Sequence, residues 1–431
     1  MTAMAADKGG AAPVAQGATP PEYLENDEPL GTDPLHRSRN TPAGGIRHWL
    51  SVLAVAVLAL ALAGPRAQAQ ATGDLGLVVE RATGSLLIVD QSERASLGRI
   101  TGLGDLSHAS IVYSPDERFA YVFGRDGGLS KVDILKQELV KRVMQAGNSI
   151  GGAISDDGRL VAVSNYEPGG VRVFDAGTLE MVADIPTGSK TVGLVDIPGS
   201  RFVFSLWDKG ETWIADLSDL AAGPEITRIK GIGPNPYDAL VTADGRTYIT
   251  GLFGADHFTA LDLWQDPPEP RTILPGYLAG REKLPVYKMP HLEGWALAGR
   301  DFVLPAFGRD EVLWVDARTL EETGRTPTYG QPVFAMARPD GRQVWVNFAH
   351  PKNDTIQVID TPSKKVIRTL KPGPAVLHME FTPRGHEVWV SVRDAGKVIV
   401  YDTETFEKLA EIPAKSPSGI FFTARAHRMG L

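Results

Sequence analysis

Cysteine is missing altogether from this chain of 431 residues. Its absence removes disulfides, zinc–thiolate sites, iron–sulfur clusters, covalent c-type haem attachment, thiol nucleophiles and a lipid-modified N-terminal cysteine. Basic runs are missing too. The chain carries 44 Lys and Arg against 52 Asp and Glu, a formal net charge of −8. Nucleic acid is thereby excluded as a partner, because its phosphates demand a basic stripe. Neither H-E-x-x-H nor a P-loop occurs. Gly124-Arg125-Asp126-Gly127-Gly128 is glycine-rich but lacks the lysine and helix of a phosphate loop, and reads as a β-turn. No long amphipathic helical pattern is present.

Long apolar runs are limited to one, Leu50 to Ala63, of 14 residues. That is short for a membrane span, which needs ~20. Arg47 and His48 precede it, Gly64-Pro65 ends it, and Ala67-Gln68-Ala69 and Ala69-Gln70-Ala71 offer small-x-small cleavage sites. Residues 47–71 are therefore expected to be a secretory signal peptide that delivers the protein to the periplasm, with an uncleaved anchor helix as the alternative. Arg37 and Arg39 are not adjacent, so a twin-arginine signal is unsupported. Residues 1–46, rich in Pro, Gly, Ala and acidic residues, are expected to be disordered. So long a leader is unusual before a signal peptide, which leaves the true start open.

From residue 72 onward one unit recurs. An apolar pair leads into Pro-Asp-Gly-Arg or a relative of it, an alternating strand follows, then a Gly/Asp turn, then a strand ending in aspartate. Those aspartates are Asp90, Asp133, Asp175, Asp216, Asp262, Asp316, Asp360 and Asp402, spaced by 43, 42, 41, 46, 54, 44 and 42 residues. A steady period near this length with several strands per unit marks a propeller blade, and eight copies predict an all-β, eight-bladed propeller over residues 72–431. A sandwich rarely keeps so even a spacing. The first unit lacks an inner strand, and the tail at 418–426 matches the missing piece. It is expected to close the ring.

With strands a to d counted outward from the axis, the d–a and b–c connections emerge on one face, here termed upper. His108, His291 and His378 are assigned to d–a connections, His257 and His350 to b–c connections. Arg125, Arg309 and Arg393 join them, and Tyr166, Asn148, Asp196 and Tyr237 are assigned to the same face. Each histidine alone is more simply structural, so the signal lies in the collective bias. Imidazoles ligate metals or shuttle protons, and guanidiniums offer paired donors to carboxylates. A flat ligand with an iron centre and several carboxylates would use both. The longest interval, Asp262 to Asp316, holds an insertion, GREKLPVYKMPHLEGW, expected to be an upper-face functional loop.

The segments GDLSHAS, FGRDGGLSKVD, GNSIGGAISDDGRLVAVSNYEPGGV, KLPVYKMPHLEGW, VNFAHPKNDT, PGPAVLHMEF and SPSGIFFTARAHR together resemble the NirF family, propeller proteins of haem d1 biosynthesis. The resemblance runs from about residue 73 to 431. That family is itself similar to the haem d1 domain of cytochrome cd1 nitrite reductase. The resemblance implies a haem d1 precursor as ligand, with His108 as proximal iron ligand and His291 on the distal side. The reductase's second distal histidine has no counterpart around Gln331, which argues against nitrite reduction. Arg125, Arg393 and Arg81 are then expected to pair with tetrapyrrole carboxylates, alongside Asn148 and His378. Tyr166 or Asp196 would work with His291 in acid–base chemistry. The implied role is a late oxidation or dehydrogenation of a tetrapyrrole side chain, using an unidentified electron acceptor. Other haem d1 maturation proteins and the nitrite reductase would be partners. A precursor carrier, a propeller hydrolase and a protein-interaction propeller remain as alternatives.

Overall fold

The computed structural model describes residues 72–278, 284–285 and 296–424. They form eight four-stranded antiparallel sheets arranged as a propeller. Seven blades take their strands consecutively. The second, for example, runs Ser110–Tyr113, Phe119–Phe123, Gly128–Asp133 and Glu138–Met144 from axis to rim. The first blade is composite. Leu75–Glu80, Ser85–Asp90 and Ala95–Ile100 receive their inner strand from Pro417–Phe422 near the other end of the chain. The expected closure is therefore present.

The aspartate ladder has a local cause. Each of the eight aspartates ends the third strand of its blade and accepts a backbone N–H two or three residues on, as Asp175 does from Thr178 at 2.7 Å and Asp402 from Thr405 at 2.7 Å. Short side-chain acceptors of this kind fix tight turns. The lower-face turns use a second device. Ser114, Ser155 and Thr242 donate their hydroxyls to Asp116, Asp157 and Asp244 at 2.5, 2.7 and 2.5 Å.

Eight apolar clusters fill the eight blade–blade interfaces, one for each. Both faces of every blade are thus buried, and the middle strands are apolar almost throughout, as FAYVF and EVLWVD show. At the closure, Trp389 of the last blade meets Phe422 of the closing strand edge to face, centroids 5.4 Å apart. Glu80, fully buried, ties the same seam. Its carboxylate accepts from Arg99 at 2.9 Å, from Ser85 at 2.8 Å and from the Lys415 N–H at 2.9 Å. Burial alone would raise the Glu80 carboxyl, but these hydrogen bonds outweigh it and hold it below the ordinary glutamate value.

Candidate functional site: the upper mouth of the ring

Three predicted arginines converge. Arg81 follows the second strand of blade one, Arg125 stands two residues beyond that of blade two, and Arg393 follows that of blade eight. The blades are consecutive around the ring. Burial first, then the guanidiniums of Arg393 and Arg125, push Arg81 below the ordinary arginine value, while Asp105 and Asp394 oppose them. Arg393 is held by its neighbour Asp394 through two hydrogen bonds, at 2.6 and 3.1 Å. Like charges gathered in this way are costly unless an anion joins them.

His108 lies in the connection between blades one and two, as predicted, and is half-buried with its Nδ1 shielded from solvent. Its approach is rigid. Ser107 N–H donates to Asp105 at 2.7 Å, Asp105 N–H to Asp126 at 3.1 Å, and Arg125 N–H to the Asp105 carbonyl at 2.9 Å. Asp126 is itself paired with Arg142 at 2.6 Å. The turns bearing His108 and Arg125 are thereby one unit.

On blade three, Tyr166 lies near the upper end of the second strand and Asn148 opens the inner strand opposite Glu167. Burial and then Asp238 raise the Tyr166 phenol above its ordinary value, with Arg125 pulling the other way. Asp238, third in the inner strand Pro236–Val241 of blade five, is thus an acidic neighbour that sequence reasoning missed. The signal was available. The third inner-strand position is Gly193, Asp238, Phe334, His378 and Gly419 in five blades, so the repeats align a carboxylate with a histidine there.

Two expected placements are corrected. Asp196 does not belong to the upper face. It pairs with Phe202 beside the lower turn, five residues or roughly 16 Å along the strand from Thr191. Burial, with a contribution from Asp156 of a neighbouring lower turn, raises its carboxyl to about 6. His378 is not in a connection but inside the inner strand Val376–Phe381. Its Nδ1 accepts the Ile420 N–H at 3.3 Å, and its ring lies between Phe334 and Phe421, centroids 5.1 and 5.8 Å away. Its ring is thus held among the inner strands of blades seven, eight and one.

The sequence Gly147-Asn148-Ser149-Ile150-Gly151 also spells G-x-S-x-G, yet Ser149 is 2% exposed on an inner strand and donates to the Gly124 carbonyl at 2.5 Å. It is no nucleophile elbow, which needs an exposed serine on a strand-to-helix turn. His291 lies outside the described residues. Of the insertion, Leu284 and Pro285 are described. Leu284 N–H donates to the Gly308 carbonyl at 3.0 Å, and Gln331 donates its amide to the Pro285 carbonyl at 2.7 Å. Gln331 is therefore tied to the described part of the insertion at Pro285.

Residues 70–426 match the cytochrome D1 heme domain family. Protein NirF of Stutzerimonas stutzeri is 55% identical over 394 residues, which cover 90% of this chain and all of that protein. The chain belongs to the NirF family. The NirF of Pseudomonas aeruginosa agrees, at 57% identity over 84% of this chain and 94% of its own. Among solved structures, the dihydro-haem d1 dehydrogenase NirN, in complex with DHE, matches with a TM-score of 0.71 and 26% identity over 85% of this chain and 78% of that one. NirF membership supports the expected role in haem d1 biosynthesis.

Proposed function

We propose that this protein binds an iron tetrapyrrole precursor of haem d1 across the upper mouth of the ring, in the periplasm, and acts there in a late step of its maturation. The observation that carries the reading is the gathering of Arg81, Arg125 and Arg393 on one arc, with the Arg125 turn hydrogen-bonded to the turn that bears the half-buried His108. The donor set fits the ligand. A neutral imidazole suits haem iron, and guanidiniums suit carboxylates in paired hydrogen bonds. The tetrapyrrole supplies one-electron chemistry at its metal. The chain's part is to position it. Arg81 and Arg125 hold the carboxylates, the Asp105–Asp126 turn fixes His108, and Tyr166, kept protonated by burial and Asp238, is the hydroxyl able to hand over a proton.

A carrier that hands the precursor on is the second reading, favoured by one observation. Asp196 stands at the opposite mouth, which leaves Tyr166 as the one described partner of the two expected for His291 in acid–base chemistry. A side-chain dehydrogenation would release two electrons, and an acceptor protein has to take them.

The test is an absorption titration of the mature chain with haem d1. Saturable binding with shifted bands, altered ligand-field bands in His108→Ala, and weaker binding with an unchanged iron spectrum in Arg125→Ala are expected. An unchanged spectrum in His108→Ala would refute the proximal assignment. Absence of binding would refute the reading as a whole.

A further inference from the structure

A second site lies away from the axis. Between blades three and four a cavity of about 610 Å³ is walled by Pro186, Thr187 and Gly188 on one side and by Lys209, Glu211, Trp213, Arg228 and Lys230 on the other. Arg228 belongs to the outermost strand of its blade, Glu225–Ile229, so the cavity opens at the rim.

Its walls are fixed. Trp213, 5% exposed, is the floor and donates its indole N–H to Glu211 at 2.8 Å. Arg228 and Lys209 stand over that ring, 4.6 and 5.6 Å from its centroid. Lys209 also donates to the Thr187 carbonyl, and the Thr187 hydroxyl donates to the Ser189 carbonyl at 2.8 Å. The one carboxylate in the cavity is thus engaged by the indole, while Lys209, Arg228 and Lys230 form no ion pair with any described residue. Other surface cations of this acidic chain are ion-paired, as with Arg118–Asp133, Arg246–Asp262, Arg300–Asp316 and Lys371–Asp354, but here three without such a partner line one cavity. The cavity is thus a local concentration of positive charge, with one carboxylate to three cations, in a chain whose net charge is −8.

We propose that this cleft docks an acidic peptide segment of a partner protein. Two ammonium groups and one guanidinium spread over the cavity suit spaced carboxylates rather than a single phosphate cradled by backbone N–H groups. The positive cleft in a negative molecule would also steer such a segment at long range, with a rate that falls as salt rises.

The experiment uses the mature protein and a fluorescein-labelled hexapeptide of Asp and Glu, followed by anisotropy. A peptide of Asn and Gln serves as its neutral partner. At ~0.01 M ionic strength, where the Debye length is about 30 Å, only the acidic peptide is expected to bind, and binding should weaken with added salt. The variant K209E/R228E/K230E should lose tenfold or more in affinity, with an unchanged circular dichroism spectrum and an unchanged haem d1 titration. A matched reversal at Lys136, Lys365 and Lys408 should lose less than threefold. Equal loss in both triple variants, no acidic-peptide binding, or displacement by inorganic phosphate but not by chloride of equal ionic strength would each overturn the proposal.

Discussion

One blade position, followed around the upper face, changes character. At the start of the connection after the second strand, blades eight, one and two carry Arg393, Arg81 and Arg125, whereas blades four, five and six carry Trp207, Phe253 and Phe307. The aromatic residues form a chain, with centroids 5.6 Å apart for Trp207–Phe253, 4.9 Å for Phe253–Phe307 and 5.7 Å for Phe307–Tyr237. Phe307 and Tyr237 belong to the core between blades five and six. The arginines make no such core and crowd their charges together. The same position of the repeat thus serves packing in one arc and is left free of that duty in the opposite arc, where the proposed binding would use it.

The largest effect expected from this contrast is on stability. Phe307→Ala should cost about 3–5 kcal/mol in urea unfolding, the price of a large buried aromatic, while Arg81→Ala should lie within about 0.5 kcal/mol of the parent. Equal losses would erase the distinction. Ligand affinity should reverse the order. Arg81→Ala removes one charge-assisted contact of about 1.5–3 kcal/mol, so haem d1 should bind roughly 10- to 100-fold more weakly by titration, with the melting point unchanged. Salt should weaken binding to the parent more than to Arg81→Ala, which equilibrium titration at two ionic strengths would show.

The smallest effect concerns the far mouth and sharpens the contrast. The Asp196 carboxyl is raised above its unfolded value to about 6, so the folded state binds the extra proton and stability falls as pH climbs from about 4 through 6. Asp196→Asn should therefore be more stable than the parent at pH 8, by about 1–2 kcal/mol after allowance for its partial exposure, and equal to it below pH 4. Ligand affinity should not change. A loss of haem d1 binding in Asp196→Asn would return that residue to the site.

The fold was legible because its signal is chemical and local. An aspartate that caps each turn recurs with the blade, and a missing first strand has a matching orphan in the tail. The arginines were legible by counting connections. The failures have one origin. Inner strands carry register shifts, such as those between Val192 and Val195 and between Val376 and His378, and an apolar pattern does not reveal where such a strand starts. His378 and Asp196 were misplaced for that reason. Asp238 was missed because it acts across blades, on a tyrosine about seventy residues earlier in the chain.

The closing strand has a further consequence. Arg393 belongs to the last blade, Arg81 to the composite one and Arg125 to the next, so the arginine arc straddles the junction where the two ends of the propeller meet. A ligand bridging these arginines, as proposed, would work as a clasp, its binding free energy adding to the latch made by Glu80, Trp389 and Phe422. Cargo and completeness would then become one condition: the arc would be complete only once the final strand is in place, and the loaded ring would be the hardest to reopen.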